Sequence, residues 1–222
     1  MFQRRFRKPR WFAPFVGVFC CLLCAIVPQK SALTAQDTST RRTNLRDVIP
    51  DVVVQDQNGR SVRFYSDLLK GKVFVIDFTY ASCRGTCLVL GKNLAAVQRT
   101  LSNDARKEVR FISISIDPAN DSPQTLKSLR RSLRAKSGWT FVTGETTSMQ
   151  RLWRALIGDL PRKGEHSDAI LIGDESTGVL ERRWGLTPAD TLTETIKELL
   201  AASRVRRGAR LHSSTSSRSP HE

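Results

Sequence analysis

An apolar run, Asp51-Val52-Val53-Val54, and an alternating one, Val62-Arg63-Phe64, flank an Asn58-Gly59 pair. Asn-Gly favours the backbone angles of a tight reversal, so the two runs predict an N-terminal β-hairpin. The apolar run Val73 to Phe78 predicts a buried strand, and Leu88 to Leu101 predicts an amphipathic helix behind it. A second strand is expected from Val109 to Ile116. After it, Ser122-Pro123 opens a helix carrying Leu126, Leu129 and Leu133, with Ser122 as N-cap and proline in the first helical position. Trp139-Thr140-Phe141-Val142 reads as a strand, and Thr146 to Leu156 as a helix. Ala169 to Ile172 and Val179 to Arg183 read as a hairpin across Asp174 to Gly178, and Thr187 to Ala201 as a closing helix. Strands alternating with helices, framed by hairpins, predict an α/β domain: a mixed central sheet with helices on both faces. No internal repeat is visible.

The two ends of the chain follow a different pattern. Arg4, Arg5, Arg7, Lys8 and Arg10 precede an apolar run from Trp11 to Val27, and small residues follow through Ala35, with no acidic residue before Asp37. A basic stretch, an apolar core and a small-residue exit are the grammar of an export signal, so residues 1–35 are expected to be a signal peptide or a retained N-terminal membrane anchor. Residues 203–222 are rich in Ser and Arg, and are expected to be a disordered basic tail. Between them, residues 36–202 are long enough for one domain with a proper core. The formal charge of +15 also belongs mostly to the ends: residues 36–202 hold 25 basic and 20 acidic side chains. A mildly basic body is an ordinary solvated surface, and nucleic acid is not expected as a partner.

Of five cysteines, Cys20, Cys21 and Cys24 lie in the leader, which leaves Cys83 and Cys87 for the domain. This pair sits between the Val73–Phe78 strand and the helix that follows. Sulfur at a helix start feels the positive end of the peptide dipoles, which favours thiolate, and Arg84 adds a fixed positive charge. Residues four apart on a helix have Cβ atoms about 5 to 6 Å apart, within reach of a shared ion but too far for a disulfide unless the loop relaxes. Gly85 supplies that looseness, so the spacing allows both a metal and a reversible disulfide. Asp117 and Asp121 fit a strand-ending Asp-Pro and a helix-capping region better than a metal site. The Trp139-Phe141 pair reads as core. Asp77, inside an apolar strand, is expected on an exposed side. The alternative is a buried carboxylate near the cysteines that could relay protons.

Several spaced motifs then resemble one family. Phe78-Thr79 leading to Cys83 and Cys87 is one. Others are Ser113-Ile114-Ser115-Ile116-Asp117-Pro118 with Asp121-Ser122-Pro123, Gly138 to Gly144, and His166-Ser167 ahead of Ile170-Leu171-Ile172. From about residue 45 to 200 the chain resembles the Sco/SenC group. The resemblance implies a thioredoxin-like fold, an extracytoplasmic location, and one copper ion per domain bound by Cys83, Cys87 and His166. His166 is the only histidine of the domain, on a polar approach to a strand. The ligand set is chemically sensible, since thiolates are soft donors suited to Cu(I) and an imidazole also admits Cu(II). Holding copper would block the disulfide, and the disulfide would expel copper. One departure matters: many members carry proline after each cysteine, where this chain has Arg84 and Leu88. Without proline the loop is more flexible, which bears on copper affinity and on the thiol role.

Two functions follow from the resemblance. In the first, the domain is a metallochaperone that delivers copper to the copper-site subunit of a haem-copper cytochrome c oxidase during its assembly. In the second, Cys83 and Cys87 are the redox-active dithiol of a thiol-disulfide oxidoreductase, recharged by a thiol reductant, with no essential copper of its own. A peroxidase ranks last, because Thr79 stands one residue too far from Cys83 for the usual Thr-x-x-Cys and no arginine partner is evident. An uncleaved leader would add the membrane as a partner.

Overall fold

A computed structural model describes residues 44–158, 168–183 and 187–216, with side chains through residue 209. The chain divides into two units at Ser39, and every described residue belongs to the second. A short helix α1 (Leu45–Val48), capped by the Asn44 side chain, leads into the expected hairpin of β1 (Val53–Asp56) and β2 (Ser61–Arg63). Gly59 takes a φ of 78°, in the left-handed region that glycine enters without steric cost. Asp56 completes the turn by accepting the Asn58 and Arg60 N–H groups. Phe64–Leu69 then forms one π-helical turn before β3 (Val73–Thr79).

Helix α2 (Thr86–Thr100) follows β3, then α3 (Asn103–Glu108) and β4 (Val109–Ser115). Next come α4 (Pro123–Ser132), β5 (Trp139–Thr143) and α5 (Thr146–Ile157). Ser122 caps α4 in a reciprocal box with Thr125, with Pro123 at the head of the helix as expected. The hairpin of β6 (Ile170–Asp174) and β7 (Val179–Arg183) precedes α6 (Ala189–Ser216). None of the described helices is long and apolar enough to cross a membrane.

The seven strands of the described residues form one mixed sheet in the order β2-β1-β5-β4-β3-β6-β7. Strands β3, β4 and β5 run parallel at its middle, and the two hairpins pair antiparallel on either side. All seven residues of β3 are buried. Its alternate side chains feed two cores. Val73 and Val75 join Leu90 and Leu94 of α2, Leu126 and Leu129 of α4 and Ile196 of α6. Phe74, Ile76 and Phe78 join Leu45, Phe64 and Leu69, with Met149, Leu152 and Trp153 of α5. Helices on both faces of a mixed sheet match the predicted α/β class.

The C-terminal boundary needs correction. The closing helix does not stop near Ala201, because α6 continues to Ser216. Ser203 is buried with its hydroxyl 3.2 Å from that of Ser176, and the guanidinium groups of Arg204 and Arg207 both reach Glu108. The described start of the supposed disordered tail is therefore helix, anchored by contacts far away in sequence. Residues 1–35 and 217–222 lie outside the described residues.

Candidate metal and thiol centre

The first residue after β3 that leaves the sheet is Tyr80, and its carbonyl accepts the Cys83 N–H at 3.1 Å to close a turn. Two residues after Cys83, Gly85 is the N-cap of α2, with no side-chain cap, and Cys87 sits in the first helical turn. Cys83 is thus off the helix and Cys87 on it, and their Cα atoms are 6.3 Å apart, joined as a disulfide. The loop relaxation that the spacing demands is what the structure has. Both cysteines are buried, while Arg84, Gly85 and Thr86 between them are exposed. Access to the sulfurs therefore passes beside a positively charged arch rather than straight from solvent. Reduction would leave two sulfurs side by side at an uncapped helix N-terminus, where partial positive charge favours thiolate.

The loop is held from the neighbouring strand. Beyond β4, Asp121 is buried; one of its oxygens accepts the Ala81 N–H at 3.0 Å and the other accepts the Ser115 hydroxyl at 2.6 Å. Ile116 donates its N–H to the Thr79 carbonyl at 2.8 Å, which continues the β3–β4 pairing one residue past the end of β4. Trp153 donates its indole N–H to the Ser115 carbonyl at 3.1 Å. These bonds fix where the cysteine loop leaves the sheet. Asp121 is thus a positioning residue, a part the sequence reading missed when it assigned this stretch to helix capping. The Ser122-Pro123 signal places Asp121 just before a helix, but nothing in the sequence points to Ala81. Asp117 closes its own turn, accepting the Asn120 side-chain amide at 2.8 Å.

Asp77 is buried, contrary to the expectation that it faces an exposed side. It shares the face of β3 that carries Val73 and Val75, under α2, and the paired strands on either side leave it no route to solvent. Ser113 donates its hydroxyl to Asp77 at 2.6 Å, and the Trp139 indole N–H donates to the same hydroxyl oxygen at 2.8 Å. Burial pushes the Asp77 carboxyl up to about 7, against the opposing pull of the Ser113 hydrogen bond. Trp139 stacks on Phe141 with ring centroids 5.4 Å apart, so the core reading of that pair stands, with a polar handle added.

His166 lies outside the described residues, so the structure brings together two of the three residues named as copper ligands. Among the described residues, no group of three or more His, Cys, Asp or Glu side chains could hold a metal ion.

Comparison with known proteins covers most of the chain. The family model described as SCO1/SenC matches residues 41–201. A SCO1 protein homolog of Bacillus subtilis (strain 168) is 34% identical over 95 residues, which is 42% of this chain and 48% of that protein. The chain thus spans about half the length of that relative. A solved structure of BsSco, described with a disulfide switch and as a member of the Sco family of cytochrome c oxidase assembly proteins, is 27% identical. It aligns with a TM-score of 0.56 over 66% of this chain and 89% of the other. The copper-bound structure of ScoI from Bradyrhizobium japonicum aligns with a TM-score of 0.55 at 23% identity, over 66% and 96% of the two chains, a likeness of fold. With a parallel β3–β4–β5 centre, a dithiol at the head of α2 and a match that runs from before the first strand into the last helix, the chain belongs to the SCO1/SenC family.

Proposed function

We propose that this protein is an extracytoplasmic copper carrier: reduced Cys83 and Cys87, with His166, hold one copper ion and pass it to the copper-site subunit of a haem-copper cytochrome c oxidase during assembly. The observation that carries the reading is the pair itself. Two sulfurs close enough to bond, one in a loop and one on a helix start, can after reduction share a soft ion without moving the sheet. Copper is cargo in this reading, and ligand exchange with the acceptor moves it. The Sco neighbours described with bound copper and with oxidase assembly support the assignment, and the basic and apolar residues 1–35 support export or anchoring.

The same disulfide favours a second reading. As a thiol-disulfide oxidoreductase, one thiolate of the reduced pair attacks a partner disulfide, forming a mixed disulfide and releasing one partner thiolate. The other cysteine then displaces the second partner sulfur and closes Cys83–Cys87. Two electrons pass to the partner, and a thiol reductant must restore the pair.

The full chain, purified in detergent and reduced without oxygen, separates these readings. It should retain one copper per chain against a modest chelator, and lose it when the pair is oxidised. His166→Ala should weaken retention at least tenfold while leaving exchange with a disulfide-bearing oxidase fragment near wild type. A reduced chain that retains no copper sinks the carrier reading. A pair that cannot exchange with the fragment sinks the oxidoreductase reading.

A further inference from the structure

Between α2 and α4, beginning at the cysteine loop, lies an open groove of about 770 Å³. Ala81, Leu88 and Leu129 line it with apolar surface, and Arg84 and Lys92, both exposed, supply its cations. Among the described residues of the lining Asp121 is the one carboxylate, and its two oxygens already accept the Ala81 N–H and the Ser115 hydroxyl. The charge bias extends beyond the groove walls: α2 and α4 together carry Lys92, Arg99, Lys127, Arg130 and Arg131 and no acidic residue. That contrasts with the near balance of the rest of residues 36–202. Val89, half exposed on the first turns of α2, adds apolar surface close by. A cleft with an apolar lining and a one-sided charge fits a peptide that offers carboxylates and an apolar side chain together.

We propose that the groove between α2 and α4 docks an extended acidic segment of the protein that the Cys83–Cys87 pair serves. The existence of such a partner rests on the proposed function; the peptide chemistry rests on the groove. Docking there places the partner's backbone alongside Ala81 and Arg84, at the mouth of the buried sulfurs, so the groove selects the partner and the cysteines do the chemistry. The cations also steer an acidic partner toward the site, a contribution that salt weakens.

The test uses the full chain in detergent and a fluorescein-labelled twelve-residue peptide alternating Glu and Leu, with a Lys-for-Glu peptide as control. Anisotropy should show the acidic peptide binding at least tenfold tighter than the control, with affinity falling as salt rises. Lys92→Glu and Ser128→Trp, both at exposed positions of the groove, should each weaken binding at least tenfold, whereas Arg151→Glu on α5 should not. Both groove variants should reduce transfer or exchange with the oxidase copper-site domain, while copper retention and reduction by dithiothreitol stay at wild type. Equal binding of the two peptides, or undiminished binding by both groove variants, overturns the proposal. Failure of the wild-type chain to retain copper would instead overturn the carrier reading, and the peptide measurements would still decide the groove.

Discussion

Asp77 shows how much one side chain can change the pH behaviour of this fold. Its carboxyl is raised from an ordinary 3.8 to about 7 by burial. Below the lower value it is protonated whether the chain is folded or not, and it costs nothing. As pH rises toward 7 the unfolded chain releases the proton and the folded chain keeps it, so stability falls; above 7 the full penalty of a buried charge remains. Three pKa units correspond to about 4 kcal/mol as an upper figure. Asp77→Asn keeps the shape and can still accept the Ser113 hydroxyl. Its urea stability should match wild type near pH 4 and exceed it increasingly up to pH 8; parallel curves for the two proteins would refute the assignment. The sequence signalled that this residue was odd but not which way it points. A strand that is apolar on both faces has no solvent side, and that follows from helices packing on both faces rather than from β3 alone.

At the scale of elements, most of the order was legible because each strand and helix carries its own periodicity and punctuation. Asn58-Gly59 and Ser122-Pro123 specify their turn and cap locally, and the structure has them there. What was not legible depends on distant partners. Helix α6 extends past Ala202 through Ser176 and Glu108, residues about 27 and 96 positions before the groups they bind. Helix α3 has six residues, only Ala105 of them buried, and too little apolar pattern to be seen. Packing between elements also sets limits at Gly173 in β6. A Cβ there would lie 2.5 Å from the Phe74 ring and 2.8 Å from the Val179 carbonyl oxygen. The carbonyl belongs to the paired strand β7 and cannot yield without breaking the ladder. Gly173→Ala should therefore cost about 1–3 kcal/mol in urea or thermal unfolding, the range for overpacking a tight site. A neutral substitution would mean that the β6–β7 hairpin is looser than the register implies.

For the whole molecule, the sheet and its two cores form a rigid base, and the centre is a five-residue stretch from Cys83 to Cys87 just past the C-terminal end of the inner strand β3. Closing so short a loop restrains the unfolded chain only modestly, by about 2 kcal/mol on the loop-entropy relation. Reduction should lower the melting temperature by a few degrees without abolishing the fold, and saturating Cu(I) should raise it again, by an amount that grows with copper concentration. A fold lost on reduction would make the disulfide structural instead of functional. How much of the centre could be read in advance follows the same division as the fold. The dithiol is contiguous in the chain and was visible; the bond from Ala81 to Asp121 joins residues 40 positions apart and was not. That separation has a consequence in time. A chain made from its amino terminus completes both cysteines before β4 and the aspartate beyond it, so their loop can settle only after β4 has been made and has paired with β3.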